Sequence, residues 1–292
     1  MAVVLITGSS TGIGLATAAA LARAGHDVFA SMRNPDRSTE LRDLPVSLLR
    51  LDVDSDESVR DAVGQVLTAR GHIDALVNNA GVAFLGAVEE LHLDVFRQTM
   101  ETNFFGALRT IQAVLPSMRE RRSGCIVNVT SVAGRIAVGS QASYTASKFA
   151  LEAATEALAQ EVKPFNIRVA LVEPGVIHTA IFDKLPEDLP PTLYPQQARI
   201  RALFAASLRN PVPPSVVGDA IRGIIEGDSW QLRYPVGPDA EPFLQWRAAM
   251  TDEQFIDYWA NPDDDAWYAQ LQRDFGLDAR PFRQVRSVSR GI

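Results

Sequence analysis

The strongest constraint on the fold is an alternation that begins at the first residues and runs through most of the chain. A short apolar run, a break, and a longer helical pattern follow one another repeatedly. Ala2 to Ile6 (AVVLI) is such a run, stopped by Thr7-Gly8 and followed by an Ala-rich helical pattern from Ile13 to Ala24. Asp27 to Ser31 and Val46 to Leu51 read as the second and third strands, with a helix over Ser55 to Ala69 whose N-cap is Ser55. Asp74 to Val77, Cys125 to Val129 and Ile167 to Val172 read as strands four to six. Between them lie a long helical pattern from Leu91 to Met118 and a helix over residues 141 to 162. Strands alternating with helices predict an α/β fold: a doubly wound, mainly parallel sheet with helices on both faces.

With 292 residues, 47% hydrophobic and 22% charged, the chain can bury a large core as one α/β domain with additions. A net charge of −7 argues against nucleic acid or an anionic membrane surface, either of which would want a basic face. A small molecule is the expected partner. Cys125 is the only cysteine, which excludes an internal disulfide or a cysteine metal cluster and fits a cytoplasmic setting. His26, His72, His92 and His178 lack metal-ligand company, so no metal site is expected. No apolar run approaches the roughly 18 residues of a membrane span, and Ala2 to Ile6 reads as a strand rather than a signal.

Gly8, Gly12 and Gly14 form a G-x-x-x-G-x-G loop between a strand and a helix. Glycines there permit a tight turn and let the backbone approach a pyrophosphate, which a helix N-terminus attracts. The carboxyl end of the second strand should approach the adenosine ribose. Met32-Arg33 offers no carboxylate for a 2′-hydroxyl but a guanidinium suited to a 2′-phosphate, so NADP(H) is favoured over NAD(H). Asp52, with Val53 after it, is placed to meet adenine. Asn78-Asn79-Ala80-Gly81 after strand four can bond backbone and leave room for a flat ring. Asn103 inside a helical pattern is a poor helix former, which suggests a site role for its amide or carbonyl.

Ser131 to Lys148 (SVAGRIAVGSQASYTASK) carries the candidate chemistry. Tyr144 and Lys148 are four apart and share a helix face, where a cation should pull the phenol pKa down from about 10. Ser131, beyond a buried strand, could hold a substrate oxygen.

Taken together, TGSSTGIG at Thr7 to Gly14, NNAG at Asn78 to Gly81, Asn103, Ser131, Tyr144, Lys148 and Pro174-Gly175 with Thr179 resemble the short-chain dehydrogenase/reductase family. The resemblance covers about residues 2 to 235, with Ser131 thirteen before Tyr144. It implies a Rossmann-type fold in which Tyr144 donates a proton, Ser131 steadies the carbonyl oxygen and Lys148 holds the nicotinamide ribose. Asn103 would anchor a water of the proton relay, and the cofactor would also meet Ser10, Thr11, Ile13 and Ile177. Ser10 and Thr11 stand where some NADP-using members carry a basic residue, which leaves phosphate selection to Arg33. The implied reaction is hydride transfer between a ketone or aldehyde and its alcohol. A non-catalytic protein sensing NADP on the same fold is the alternative, which the intact Ser, Tyr, Lys and Asn set disfavours.

Residues 1–235 are expected to form the catalytic domain, with a seventh strand and its exit over Leu232 to Ala240, as in hydroxysteroid and retinol dehydrogenase-like members. The proline-rich stretch Phe182 to Pro214, with a helical pattern at Arg199 to Leu208, is a candidate substrate loop lined by Phe182, Leu185, Leu189, Leu193, Tyr194 and Phe204. The tail, residues 236–292, is too aromatic for disorder. Helices over Asp252 to Trp259 and Asp265 to Phe275 are expected to pack on the same domain and favour a bulky hydrophobic substrate. The resemblance further implies a homodimer or homotetramer paired through the helices carrying Asn103 and Tyr144.

Overall fold

A computed structural model describes residues 1–183 and 192–283. Seven strands, β1 (Val3–Ile6), β2 (Asp27–Met32), β3 (Val46–Arg50), β4 (Ala75–Asn78), β5 (Gly124–Val129), β6 (Ile167–Pro174) and β7 (Arg233–Val236), form one sheet in the order β3-β2-β1-β4-β5-β6-β7. Every pairing is parallel. The strand order reverses between β1 and β4, so their carboxyl ends open a crevice there.

The central strands are apolar on both sides because both faces are covered. Helices α1 (Gly12–Arg23) and α8 (Ser215–Glu226) bury Leu21, Ala22, Val217 and Ile221 on one face. They cross so closely that a Cβ on Gly218 would lie 2.9 Å from the Ala16 backbone. On the other face α2 (Asp56–Arg70), α4 (Gly106–Arg121) and α5 (Ala142–Val162) bury Val63, Val66, Ile111, Val114 and Val162. Each such aliphatic contributes about 1.5–3 kcal/mol of transfer free energy. Polar pairs within the core set the relative placement of elements: Asn78 Nδ2 donates to Asn128 Oδ1 at 2.9 Å, and Asn128 Nδ2 to Thr155 Oγ1 at 2.8 Å. That chain ties β4 and β5 to α5, the helix carrying Tyr144 and Lys148.

Ser55 caps α2 by accepting from Ser58 N at 3.2 Å, as its position predicts. The single helix expected over Leu91 to Met118 is two, α3 (Leu93–Met100) and α4, joined through a π-helical turn at Glu101–Phe105 that contains Asn103. Asparagine's poor fit to a regular helix marks that irregularity. The sequence reading missed α8, whose apolar face is interrupted by Gly218. It also missed α9 (Ala240–Ala248), which begins where the expected exit of the seventh strand ends.

After the short α6 (Ala180–Asp183), α7 (Pro195–Ser207) replaces the helix expected over Arg199 to Leu208. With α9, α10 (Asp252–Ala260) and α11 (Asp264–Phe275) it builds a third core from Ile200, Leu203, Phe243, Phe255, Trp259 and Trp267. A buried cation staples this cap. Arg199, 1% exposed, donates to Asp264 Oδ1 at 2.7 and 3.0 Å, to Trp259 O at 2.9 Å and to Asn261 O at 2.6 Å, and lies 5.2 Å over the Trp267 ring. Leu185, Pro186, Leu189, Pro190 and Pro191 of the expected substrate loop lie outside the described residues. Among the described residues no helix is long and apolar enough to cross a membrane.

Candidate active site

The loop from β1 to α1 is shaped by its glycines. Gly8 and Gly12 adopt φ of 68° and 58°, in the left-handed region that side chains disfavour. A Cβ on Gly14 would fall 2.4 Å from Gly8 O and 2.5 Å from Asn79 Nδ2, so only glycine lets α1 start there. Thr11, the N-cap, makes no side-chain hydrogen bond to the helix. The first N–H groups of α1 therefore face the cleft uncapped by side chain, which suits a pyrophosphate. Across the crevice Asn79 Nδ2 donates to Thr7 O and Gly8 O, both at 3.0 Å, and Thr7 Oγ1 accepts from Asn79 N and Ala80 N. Thr7 thus sets the NNAG segment, a duty the sequence reading did not assign. Its signal was its place at the end of β1, as the first residue of the TGSSTGIG segment.

Ser131, Tyr144 and Lys148 meet at the far end. Ser131 follows β5; its Oγ accepts from Ala133 N at 3.1 Å and donates to Pro174 O at 3.4 Å, which joins it to the loop after β6. Lys148 is buried, with Nζ 5.6 Å from the Tyr144 ring centroid and donating to Val129 O at 2.9 Å. The charge effects differ from expectation. Burial pushes the Tyr144 phenol up to about 12, opposed by a hydrogen bond with Ser131, and burial pulls Lys148 down to about 8, opposed by Glu152. In this cleft the loss of water sets the direction of both shifts, and the group that opposes it at Tyr144 is Ser131 rather than the cation expected to acidify the phenol. A phenol held protonated is an acid ready to donate.

A single cleft of about 360 Å³ holds almost all the residues singled out from sequence. Gly8, Ser10, Thr11, Gly12 and Ile13 line one end with Arg33, Asp52 and Val53. Asn79, Ala80 and Gly81 lie between, and Ser131, Tyr144, Lys148, Pro174, Gly175, Ile177 and Thr179 line the other end. A Cβ on Gly12 would lie 3.3 Å from Thr179 Cβ, so the loops after β1 and β6 face each other closely. Arg33 is exposed and pairs with no carboxylate among the described residues. Two of the residues do not line the cleft. Gly14 packs under the loop, and Asn103 is buried behind it, where its amide accepts from Val82 N at 2.8 Å and donates to Val82 O and Ser147 Oγ, each at 2.9 Å. These bonds join the π turn to the NNAG segment and to α5. Beyond Tyr144 the wall is apolar and comes largely from the cap, through Ile200, Leu203, Phe243, Trp246, Trp259 and Phe275.

A parallel sheet with a glycine loop at its switch point, and a phenol–ammonium pair across the same cleft, define a nicotinamide-dependent oxidoreductase. The model of the short chain dehydrogenase family matches residues 2–190, and the chain belongs to that family. It is 38% identical over 243 residues to 3-ketodihydrosphingosine reductase from Bacteroides thetaiotaomicron, covering 81% of this chain and 88% of that protein. Retinol dehydrogenase 8 from Bos taurus is 42% identical over 202 residues, 66% of this chain and 64% of that protein. Among solved structures, a short-chain dehydrogenase from Streptomyces avermitilis superposes with a TM-score of 0.75 at 32% identity, covering 94% of this chain and 96% of that one. A short chain dehydrogenase from Burkholderia cenocepacia in complex with NADP gives 0.71 at 28% identity, covering 89% and 98%.

Proposed function

We propose that the chain is an NADP(H)-dependent reductase of bulky hydrophobic ketones or aldehydes, with Tyr144 as general acid, Ser131 and Lys148 as its partners and Asn103 as a support. One observation carries this reading: Ser131, Tyr144 and Lys148 converge on a cleft whose opposite end is the glycine loop and whose outer wall is apolar. The Gly8 to Gly14 loop would hold the pyrophosphate and Arg33 the 2′-phosphate. Asp52 and Val53 would meet adenine, and Pro174, Gly175, Ile177 and Thr179 the nicotinamide. When bound, the nicotinamide supplies or accepts the hydride. The protein's part is positioning and proton transfer. A carbonyl oxygen seated between the Ser131 and Tyr144 hydroxyls is polarised by both and takes the Tyr144 proton as negative charge develops on it. The Lys148 ammonium then stabilises the phenolate left behind.

A phenol raised to about 12 is protonated throughout the neutral range, which supports reduction as the direction the site is prepared for. The names of the relatives, a 3-keto reductase and a retinol dehydrogenase, fit a carbonyl–alcohol pair on a large apolar molecule. Phe105 and Phe149, 44% and 41% exposed beside Asn103 and on the Tyr144 helix, fit pairing of two copies through those helices. NADPH oxidation across ketones graded in size tests the reading. Activity that rises with apolar bulk supports it, and a ranking led by small polar ketones would overturn the substrate class.

A further inference from the structure

Behind the phenol and the ammonium lies a charge cluster, buried at Glu152 and Glu173, with no part in the steps above. Glu152 stands one turn beyond Lys148 on α5 and is 4% exposed; Glu173, next to last in β6, is fully buried. Glu152 Oε1 accepts from Thr130 Oγ1 at 2.6 Å, and Oε2 accepts from Arg233 Nε at 3.0 Å. Glu173 Oε1 lies 3.3 Å from Arg135 and 3.7 Å from the same Arg233 Nε, while its Oε2 has no hydrogen-bond partner. The other arm of Arg233 goes to Glu156 at 2.7 Å. Three carboxylates therefore share two guanidiniums. The Val132–Gly134 turn presses on the same face, since a Cβ on Gly134 would lie 2.9 Å from Glu152 Cγ and 3.3 Å from Lys148 O.

Lys148 has one hydrogen bond among the described residues, to a neutral carbonyl, so its charge lacks a paired counter-ion. A cation removed from water in that way is held only if negative charge lies close by. On the other elements against α5, Asp94 of α3 is paired with Arg97, and Glu101 of the π turn shares Arg109 with Asp56. Gly81 and Asn103, the neighbours on the remaining side, are uncharged.

We propose that Glu152, backed by Glu173, is the counter-charge that keeps Lys148 protonated, and so is a positioning residue acting on Tyr144 through Lys148. Burial draws Lys148 down and Glu152 is the one group opposing it. Burial, reinforced by Glu152, raises Glu173 above the usual carboxylate range, and Arg233 is divided among Glu152, Glu156 and Glu173. The inference rests on the proposed reaction only for its kinetic readout.

The chain has three lysines, Lys148, Lys163 and Lys184, so lysine labelled with carbon-13 at Cε gives a spectrum in which each can be followed. Lys148→Met identifies the Lys148 signal by its loss. In the full-length parent that signal should titrate near pH 8. Glu152→Gln lowers the midpoint by about one unit or more. Arg233→Gln removes a competing cation and moves it upward, so the two variants part in opposite directions, which a shared loosening of the fold would not produce. In turnover, Glu152→Gln should match the parent at about pH 6.5 and fall about tenfold below it at about pH 9. An unmoved Lys148 midpoint in Glu152→Gln, or the same direction of shift in both variants, overturns the proposal. The spectrum needs no substrate, so failure to reduce any ketone would refute the proposed reaction and leave the midpoint to decide the counter-charge.

Discussion

Arg199→Ala should loosen the cap without unfolding the sheet. The guanidinium is 1% exposed and satisfies one carboxylate and two backbone carbonyls of the α10–α11 region. Its removal leaves Asp264 and those carbonyls short of donors in a poorly hydrated place, and breaking a buried pair from one side costs about 3–5 kcal/mol. Asp264 keeps 24% side-chain exposure and has Arg283 at 3.8 Å, so the lower end, about 3 kcal/mol, is expected. At about 2 °C per kcal/mol for a chain of this size, Tm falls by about 6 °C if unfolding is one transition. Asp264→Asn, which keeps an acceptor for Arg199, should cost about half as much. Hydrogen exchange should quicken in α7, α10 and α11 while β1, β4 and β5 stay protected. KM for bulky ketones should rise while KM for NADPH holds. Unchanged exchange in α10 and α11, with Tm within about 1 °C of the parent, would refute the staple.

Gly14→Ala should weaken cofactor binding severely with little loss in the sheet, since the new methyl meets Gly8 O and the Asn79 amide; NADPH fluorescence titration checks it. Arg33→Ala with Met32→Asp should turn an NADPH preference of about ten- to hundredfold, the worth of a charge-assisted pair of about 1.5–3 kcal/mol, towards NADH. A parent that already prefers NADH contradicts this use of Arg33. With Lys148 near 8 and Tyr144 near 12, kcat/KM for ketone reduction should be level below about pH 7 and decline through pH 8 as the ammonium is lost. A rate that climbs through pH 8 would argue against a charged Lys148 in the active form.

The strands themselves could be located because parallel strands buried on both sides are written as apolar runs; VVLI in β1 and ALV in β4 show it plainly. The candidate site was legible in the same way where chemistry narrows the choice of residue. Gly8 and Gly14 leave no room for a side chain, Gly12 has a positive φ, and Ser131, Tyr144 and Lys148 sit just after a strand and in the first two turns of a helix that the pattern had already placed. Other parts depend on tertiary packing. Helix α8 was hidden because Gly218 serves contact with α1 rather than local helix formation. The π turn at Asn103 is set by what its amide binds on Val82 and Ser147. The direction of the Tyr144 shift could not be read at all, because spacing reveals a neighbouring cation but not the exclusion of water from both groups. Nothing in the sequence separates Glu152 from the other acids of α5; only the fold brings Thr130 and Arg233 against it.

The central claim is that the Tyr144 hydroxyl delivers the proton to a carbonyl held in the cleft, and Tyr144→Phe tests it with little change in ring volume. NADPH oxidation with a bulky apolar ketone should fall by about two to four orders of magnitude, the usual worth of a positioned general acid, while NADPH binding stays within about twofold of the parent. A Tyr144→Phe protein that binds NADPH and retains near-parent kcat would contradict the account.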